Sequence, residues 1–320
     1  MQSQRSNYKA VYPDPALPKE TSPCHAALPS TGGAPLPQIP APSSPVRDVT
    51  PRVLLPRRPG LLLPALSLAQ RELVRFLRQR HRIIGALGTP IVFWLLLGLG
   101  MGSSFRGIGV PGGESYLKFF FPGTVLMILL FTAIFSTISI IEDRREGFLQ
   151  SVLVAPVSRM SIVLGKILGG TALAFVQGLI FLALAPLVGL HLTLLGFVEA
   201  AAMTFIISFA LTGLGFCIAW RMSSTQGFHA IMNLFLMPLW FLSGALFTPQ
   251  TAWNGLKWVM RINPLSYGLA GLQRAVFGNV DSVAALPGWG LIIVVSLAFA
   301  AVMFALSSFV AGGRVSADLQ

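Results

Sequence analysis

Six apolar stretches, each about the length of a membrane-crossing helix, constrain this chain more than any other feature. They run near 83–102, 119–141, 163–188, 200–220, 229–247 and 289–311. A hydrocarbon core of ~30 Å needs ~20 apolar residues in helix. A backbone inside that core must satisfy its own hydrogen bonds, so the spans are predicted to be α-helices. Composition agrees: 54% of residues are hydrophobic and 11% charged, with a mean hydropathy of +0.72. Soluble domains carry about 25% charged residues. The net charge of +12 is not read as a nucleic-acid footprint. Twelve of the 23 Lys and Arg precede residue 83, and most others sit in short loops between apolar runs. That is the placement of basic membrane flanks. Cys24 and Cys217 do not suggest a disulfide framework.

The chain divides by composition. Residues 1–60 hold 13 of the 23 prolines and show no apolar periodicity, which predicts a disordered tail. It lacks the apolar core of a signal peptide, so it is expected to stay on the mature protein. Residues 61–82 are expected to form an amphipathic interfacial helix. Leu66, Ala69, Leu73, Phe76 and Leu77 recur at helical spacing, with Ser67 as N-cap and Arg71, Arg75, Arg78 and Arg82 facing phosphate headgroups. A six-span domain, 83–311, and a short tail, 312–320, complete the chain. The small residues Gly98 and Gly102, Gly165 and Gly169, and Gly213 and Gly215 predict close helix packing. Lys166 is expected to snorkel from the start of the third span.

Charge sets the orientation. Arg71, Arg75, Arg78, Arg80, Arg82, Arg144, Arg145, Arg159, Arg221 and Arg314 collect on one side, which is therefore cytoplasmic and holds both termini. Arg106, Lys118, Lys257, Arg261 and Arg274 fall on the other.

The spans contain no acid–base pair, metal cluster or Ser–His pair at useful spacing, so no catalytic or metal site and no cofactor is expected. The near-Walker string "GKILGG" at 165–170 has Ile167 where magnesium binding needs Ser or Thr. Energy for uphill transport is expected from another polypeptide, which makes its contact surface the site to find. A stand-alone secondary carrier or channel stays open, because sodium coupling through backbone carbonyls needs no carboxylate. An intramembrane enzyme is disfavoured.

One loop stands out: "EDRREGFLQSVLVAPVSR", 142–159. Phe148, Val152 and Leu153 form one short amphipathic turn of helix, ended by Pro156. With "MSIVLGK" after it, the segment resembles the coupling segment of type-2 ATP-binding-cassette exporter permeases, such as the daunorubicin, nodulation-factor and polysaccharide exporters. Glu142, Glu146, Gly147, Leu153, Pro156, Gly165 and Lys166 carry the match, while Gln150 stands where an acid is common. A second match runs through "MNLFLMPLWFLSGALFTP", 232–249, and "INPLSYGLAGLQR", 262–274. Its residues are Asn233, Pro238, Ser243, Gly244, Pro249, Asn263, Pro264 and Tyr267.

The resemblance implies an all-α polytopic permease in the bacterial inner membrane, with a cytoplasmic coupling helix and outer re-entrant helices. It also implies a dimer with a second permease subunit, and two copies of an ABC ATPase. Glu142, Arg144, Arg145, Glu146, Gly147, Phe148, Leu153, Pro156 and Arg159 would couple to the ATPase. Ser243, Gly244, Asn263, Pro264 and Tyr267 would form an outer turn or gate. The cargo would be a drug, lipid or glycan, with membrane lipid as surroundings.

Overall fold

The computed structural model describes residues 60–100, 115–155, 157–246, 253–278 and 286–313. The expected tail before residue 60, the C-terminal tail after 313, and Gly102, Arg106, Pro156, Pro249 and Arg314 lie outside the described residues. The described residues form α-helices and short helical turns, with no strand among them. Among the described residues, six helical segments are long and apolar enough to cross a membrane.

Helix α1 (Leu62–Arg78) starts earlier than Ser67, whose hydroxyl donates to Pro64 O at 2.9 Å from within the helix. Ser67 is therefore not the N-cap. Pro64 sits in the first turn, where a missing N–H costs nothing. The helix breaks at Gln79 (φ −94, ψ 71), and α2 (Arg80–Gly100) begins at once. The single amphipathic stretch expected to 82 is thus split, its last residues serving as the base of the first span.

α3 (Tyr116–Arg145) is the hub, buried along nearly its whole length from Phe120 to Ile141. Its 30 residues span about 45 Å at ~1.5 Å per residue, well beyond a ~30 Å hydrocarbon core. The helix therefore carries Glu142–Arg145 past its apolar run. Then come α4 (Phe148–Val154), α5 (Arg159–Leu182) with a 3₁₀ turn at Ala185–Val188, and α6 (Leu194–Ala219). α7 (Thr225–Trp240) runs into a π-turn at Phe241–Ala245, where Gly244 adopts φ 93. α8 (Asn254–Ile262) and α9 (Pro264–Phe277) precede α10 (Trp289–Gly312), the last span.

Small residues let α3, α5 and α6 approach closely. A Cβ on Gly170 would lie 2.4 Å from Ser136 Oγ, and one on Gly215 would lie 2.8 Å from Thr137 Oγ1. Buried hydroxyls return their protons to the preceding turn: Thr124 to Phe120 O, Thr171 to Ile167 O, Thr212 to Ser208 O. Thr132 donates across to Gln177 Oε1, joining α3 to α5. α6 meets α10 where Ser307 Oγ donates to Gly213 O at 3.0 Å. This packed centre fixes the lower end of α3, on which the charged loop is mounted.

Candidate coupling surface and its charge cluster

α1 presents one face to α5. Ala65, Leu68, Glu72 and Phe76 are its buried residues. They fit because α5 offers no side chains there: a Cβ on Gly165 would sit 2.7 Å from Ala65 O, and one on Gly169 2.7 Å from Glu72 Cβ. Close approach places the single acid of α1 against Lys166. Lys166 Nζ lies 2.5 Å from Glu72 Oε1 and also donates to Asp143 Oδ2. It is 6% exposed. The expectation of snorkelling is corrected: a lysine this deep is held by two carboxylates, which offset its desolvation.

Asp143 is fully buried at the end of α3. Arg71 grips it with both guanidinium nitrogens, at 2.9 and 3.1 Å, and Arg75 Nη1 adds a contact at 2.5 Å. Arg71 and Arg75 were expected to face headgroups, yet they turn inward, drawn by a carboxylate that no water reaches. Its hydrogen bond to Asp143 holds the Arg71 guanidinium above its usual value, with burial opposing. Arg75 Nη2 reaches Glu142 at 3.1 Å and Glu146 at 3.0 Å. The two glutamates, four apart, thus share one arginine from α1.

The loop itself grows from this cluster. Glu146 N–H donates to Glu142 O at 2.9 Å, and Gly147 then turns left-handed at φ 74, a region that favours glycine. α4 follows. Arg71 lies over the Phe148 ring at 3.6 Å, and Leu149 is the one buried residue of α4. Val152 and Leu153 are half-buried. Gln150, Ser151 and Val154 face outward, Val154 at 87% exposure. Ala155 leaves the helix at ψ 151, the extended conformation that a following proline favours.

The loop arginines face helix ends. Arg144 donates to Trp220 O and, at 3.5 Å, to Met222 O. Arg145 donates twice to Ser223 O, at 3.0 and 2.7 Å. Arg159 reaches the carbonyls of Ala311, Gly312 and Gly313 at 3.3, 3.0 and 3.4 Å. Arg144 and Arg159 compensate carbonyls at or just beyond helix C-termini, where the dipole is negative, and Arg145 holds the turn between α6 and α7.

At the other end, Asn263 separates α8 from α9. Its Oδ1 accepts from Leu265 N at 3.0 Å and its Nδ2 donates to Leu239 O at 2.7 Å. Pro264 occupies the first turn of α9. Ser243 donates to Trp240 O at 2.6 Å and Tyr267 to Arg261 O at 3.0 Å. The expected outer residues Ser243, Gly244 and Tyr267 line one cavity, with Asn263 and Pro264 at the adjoining helix junction.

Glu72, Asp143 and Lys166 are not among the coupling residues expected from sequence. A signal existed: Glu72 shares the i, i+3, i+4 face of Ala65, Leu68 and Phe76, so a helix burying that face buries an acid. Leu149 was missed because its apolar neighbours mask its phase. Among the described residues no group of three or more His, Cys, Asp or Glu is placed to hold a metal.

Residues 65–277 match the family described as ABC-2 type transporter. The chain belongs to the ABC-2 type transporter family. The resemblance drawn from the charged loop and the 232–274 segment is thereby borne out. This ABC-2 chain is 25% identical to the ycf38 transport permease of Cyanophora paradoxa, over 62% of its own length and 69% of the relative's. It is 26% identical to nodulation protein J of Rhizobium meliloti strain 1021, over 62% of the chain and 74% of that protein. The inner membrane transport permease YadH of Escherichia coli K12 is 23% identical over 75% of the chain and 93% of its own length. With six helices able to span, this is a multi-pass ABC-transporter permease.

Proposed function

We propose that the chain is the membrane subunit of an ATP-driven exporter, working with two copies of a separate ABC ATPase and a second permease subunit, most simply its own copy. ATP hydrolysis belongs to the partner. The membrane is the bacterial cytoplasmic membrane, with both termini inside. The cargo is a drug, lipid or glycan, and the apolar spans favour an amphipathic one.

The observation that carries this reading is the mounting of α4. A seven-residue helix with outward Gln150, Ser151 and Val154 is fastened by Phe148, under Arg71, to a buried charge cluster that spans α1, α3 and α5, and by Leu149 to the hydrophobic core. A solvated connector needs no such anchorage. A push on α4 is transmitted to three helices together, because the ion pairs and the α1–α5 contact leave little room for independent motion. The roles of Glu142, Arg144, Arg145, Glu146, Gly147, Phe148, Leu153, Pro156 and Arg159 follow as mounting, with the exposed face of α4 as the ATPase contact. A gate at Ser243, Gly244, Asn263, Pro264 and Tyr267 is the corresponding proposal for the far end. Exposed apolar side chains on α2 and α7, including Phe93, Leu96, Leu234 and Phe235, support burial against lipid or a second subunit.

The test is affinity purification of the tagged full-length chain from native membranes, with mass spectrometry of what accompanies it. The expected result is a Walker-motif ATPase in equal amount and ATP-dependent export when both are reconstituted. Transport by the purified chain alone, with no ATPase recovered, overturns the proposal in favour of a secondary carrier.

A further inference from the structure

A cavity of roughly 340 Å³ lies between the π-turn after α7, helices α8 and α9, and the segment entering α10. That volume falls within the ~300–1,000 Å³ of small-molecule sites. Ser243, Lys257, Arg261, Ser266, Tyr267 and Gln273 supply its polar lining, and no carboxylate is among the described lining residues. Asp281, outside the described residues, is the sole acid between 200 and 313.

The donors left over decide what the cavity can hold. The three hydroxyl protons are committed: Ser243 to Trp240 O, Ser266 to Leu242 O, Tyr267 to Arg261 O. The Lys257 ammonium, the Arg261 guanidinium and the Gln273 amide make no hydrogen bond or ion pair among the described residues. Arg261 instead lies 5.7 Å from the Trp258 ring. Lys257 and Arg261 are four apart, so both point into the cavity from one face of α8. The neighbouring face of α8 carries exposed Trp258 and Ile262, with Trp253 just before the helix. Amphipathic rings at such positions sit at a membrane interface. Two cations lining one cavity, beside exposed Trp258 and Ile262, match one chemistry: an oxyanion joined to a hydrocarbon chain.

We propose that this cavity binds the phosphate of an anionic amphiphile between Lys257 and Arg261, with its hydrocarbon chain along Trp258 and Ile262. Its placement on the outer side rests on the orientation proposed above, whereas the binding chemistry does not. The amphiphile is either a membrane phospholipid or a single-chain exported compound.

The full-length protein is purified from nanodiscs containing phosphatidylcholine and phosphatidylglycerol, and retained lipid is counted by native mass spectrometry. Dodecyl phosphate and dodecyl phosphocholine are then titrated as competitors. The expected result is retention of phosphatidylglycerol over phosphatidylcholine, weakened about tenfold in K257Q/R261Q and preserved in K257R/R261K. Displacement by dodecyl phosphate assigns the site to single-chain amphiphiles as well, and resistance to it assigns the site to lipid. Equal retention of the two lipids, or equal retention by wild type and K257Q/R261Q, overturns the proposal. If K257Q/R261Q fails to fold, the wild-type headgroup preference decides alone. No ATPase enters the measurement, so its outcome is independent of whether the chain proves to be an exporter subunit.

Discussion

Lys166 Nζ lies 2.5 Å from Glu72 Oε1, although the two residues stand 94 apart in sequence and both are buried. The contact ties the helix before the first span to the third span. Replacing Lys166 by Met leaves Glu72 with only a 3.4 Å contact to the half-exposed Arg71. Breaking a buried pair costs about 3–5 kcal/mol, while replacing both partners with apolar groups is often neutral. We expect Lys166→Met to lower the melting temperature in detergent, and Lys166→Met with Glu72→Leu to recover much of the loss. A single variant that melts with wild type would show that the pair stabilises nothing.

The α1–α5 contact makes a steric prediction. A Cβ on Gly165 meets backbone, Ala65 O at 2.7 Å, whereas one on Gly98 meets the tip of Leu117, a flexible side chain. Gly165→Val should therefore displace α1, at a cost of about 1–3 kcal/mol, and Gly98→Ala should be milder. Disulfide trapping between cysteines placed on α1 and α5 reads the displacement. Unchanged trapping in Gly165→Val speaks against close packing here.

Mounting of α4 is tested by charge. Phe148→Asp with Leu153→Asp places two carboxylates in the half-buried side of the helix, one in place of the ring under Arg71 and one against the hydrophobic core. The permease is expected to insert normally but to lose stimulation of its ATPase. Full ATP-dependent export at wild-type abundance would reduce this loop to a connector.

At the far end, Asn263 matters more than Pro264. Asn263 makes two hydrogen bonds while 5% exposed, so Asn263→Leu leaves the buried Leu265 N–H at the start of α9 without its acceptor, at about 1–3 kcal/mol. Pro264 stands at the first position of α9, where it chiefly stiffens the unfolded chain, so Pro264→Ala should cost only ~0.4–1 kcal/mol. Thermal melts of the two variants rank them, and the reverse order would refute this account.

Orientation is tested by labelling. In a Cys217→Ser background, Asn254→Cys should react with an impermeant thiol reagent in intact cells and Ser151→Cys should not. Both positions are exposed in the structure, so silence at Ser151 reports sidedness. Labelling of Ser151→Cys would invert the topology.

The spans were legible because the bilayer imposes one rule on every residue of a crossing segment, and about twenty apolar residues in a row satisfy it locally. The Gly147–Pro156 punctuation of the loop and the Asn263–Pro264 break were legible for the same reason: φ restrictions act on single residues. Family membership could be read from these local signatures in order. The charge cluster could not. Arg71 and Arg75 carry the same sequence signal as Arg78, yet the first two grip a buried Asp143. Arg144, Arg145 and Arg159 resemble any basic flank, but each caps carbonyls from another part of the chain. Whether a charge faces water, lipid or a carboxylate depends on which helix lies opposite, and that is set by the close approach of α1 to Gly165 and Gly169. Sequence by itself determined which segments are helices and which of them cross the membrane, since propensity and hydropathy are local sums. Only the tertiary structure decided which charges became paired, because pairing energy depends on distances between residues many tens of positions apart.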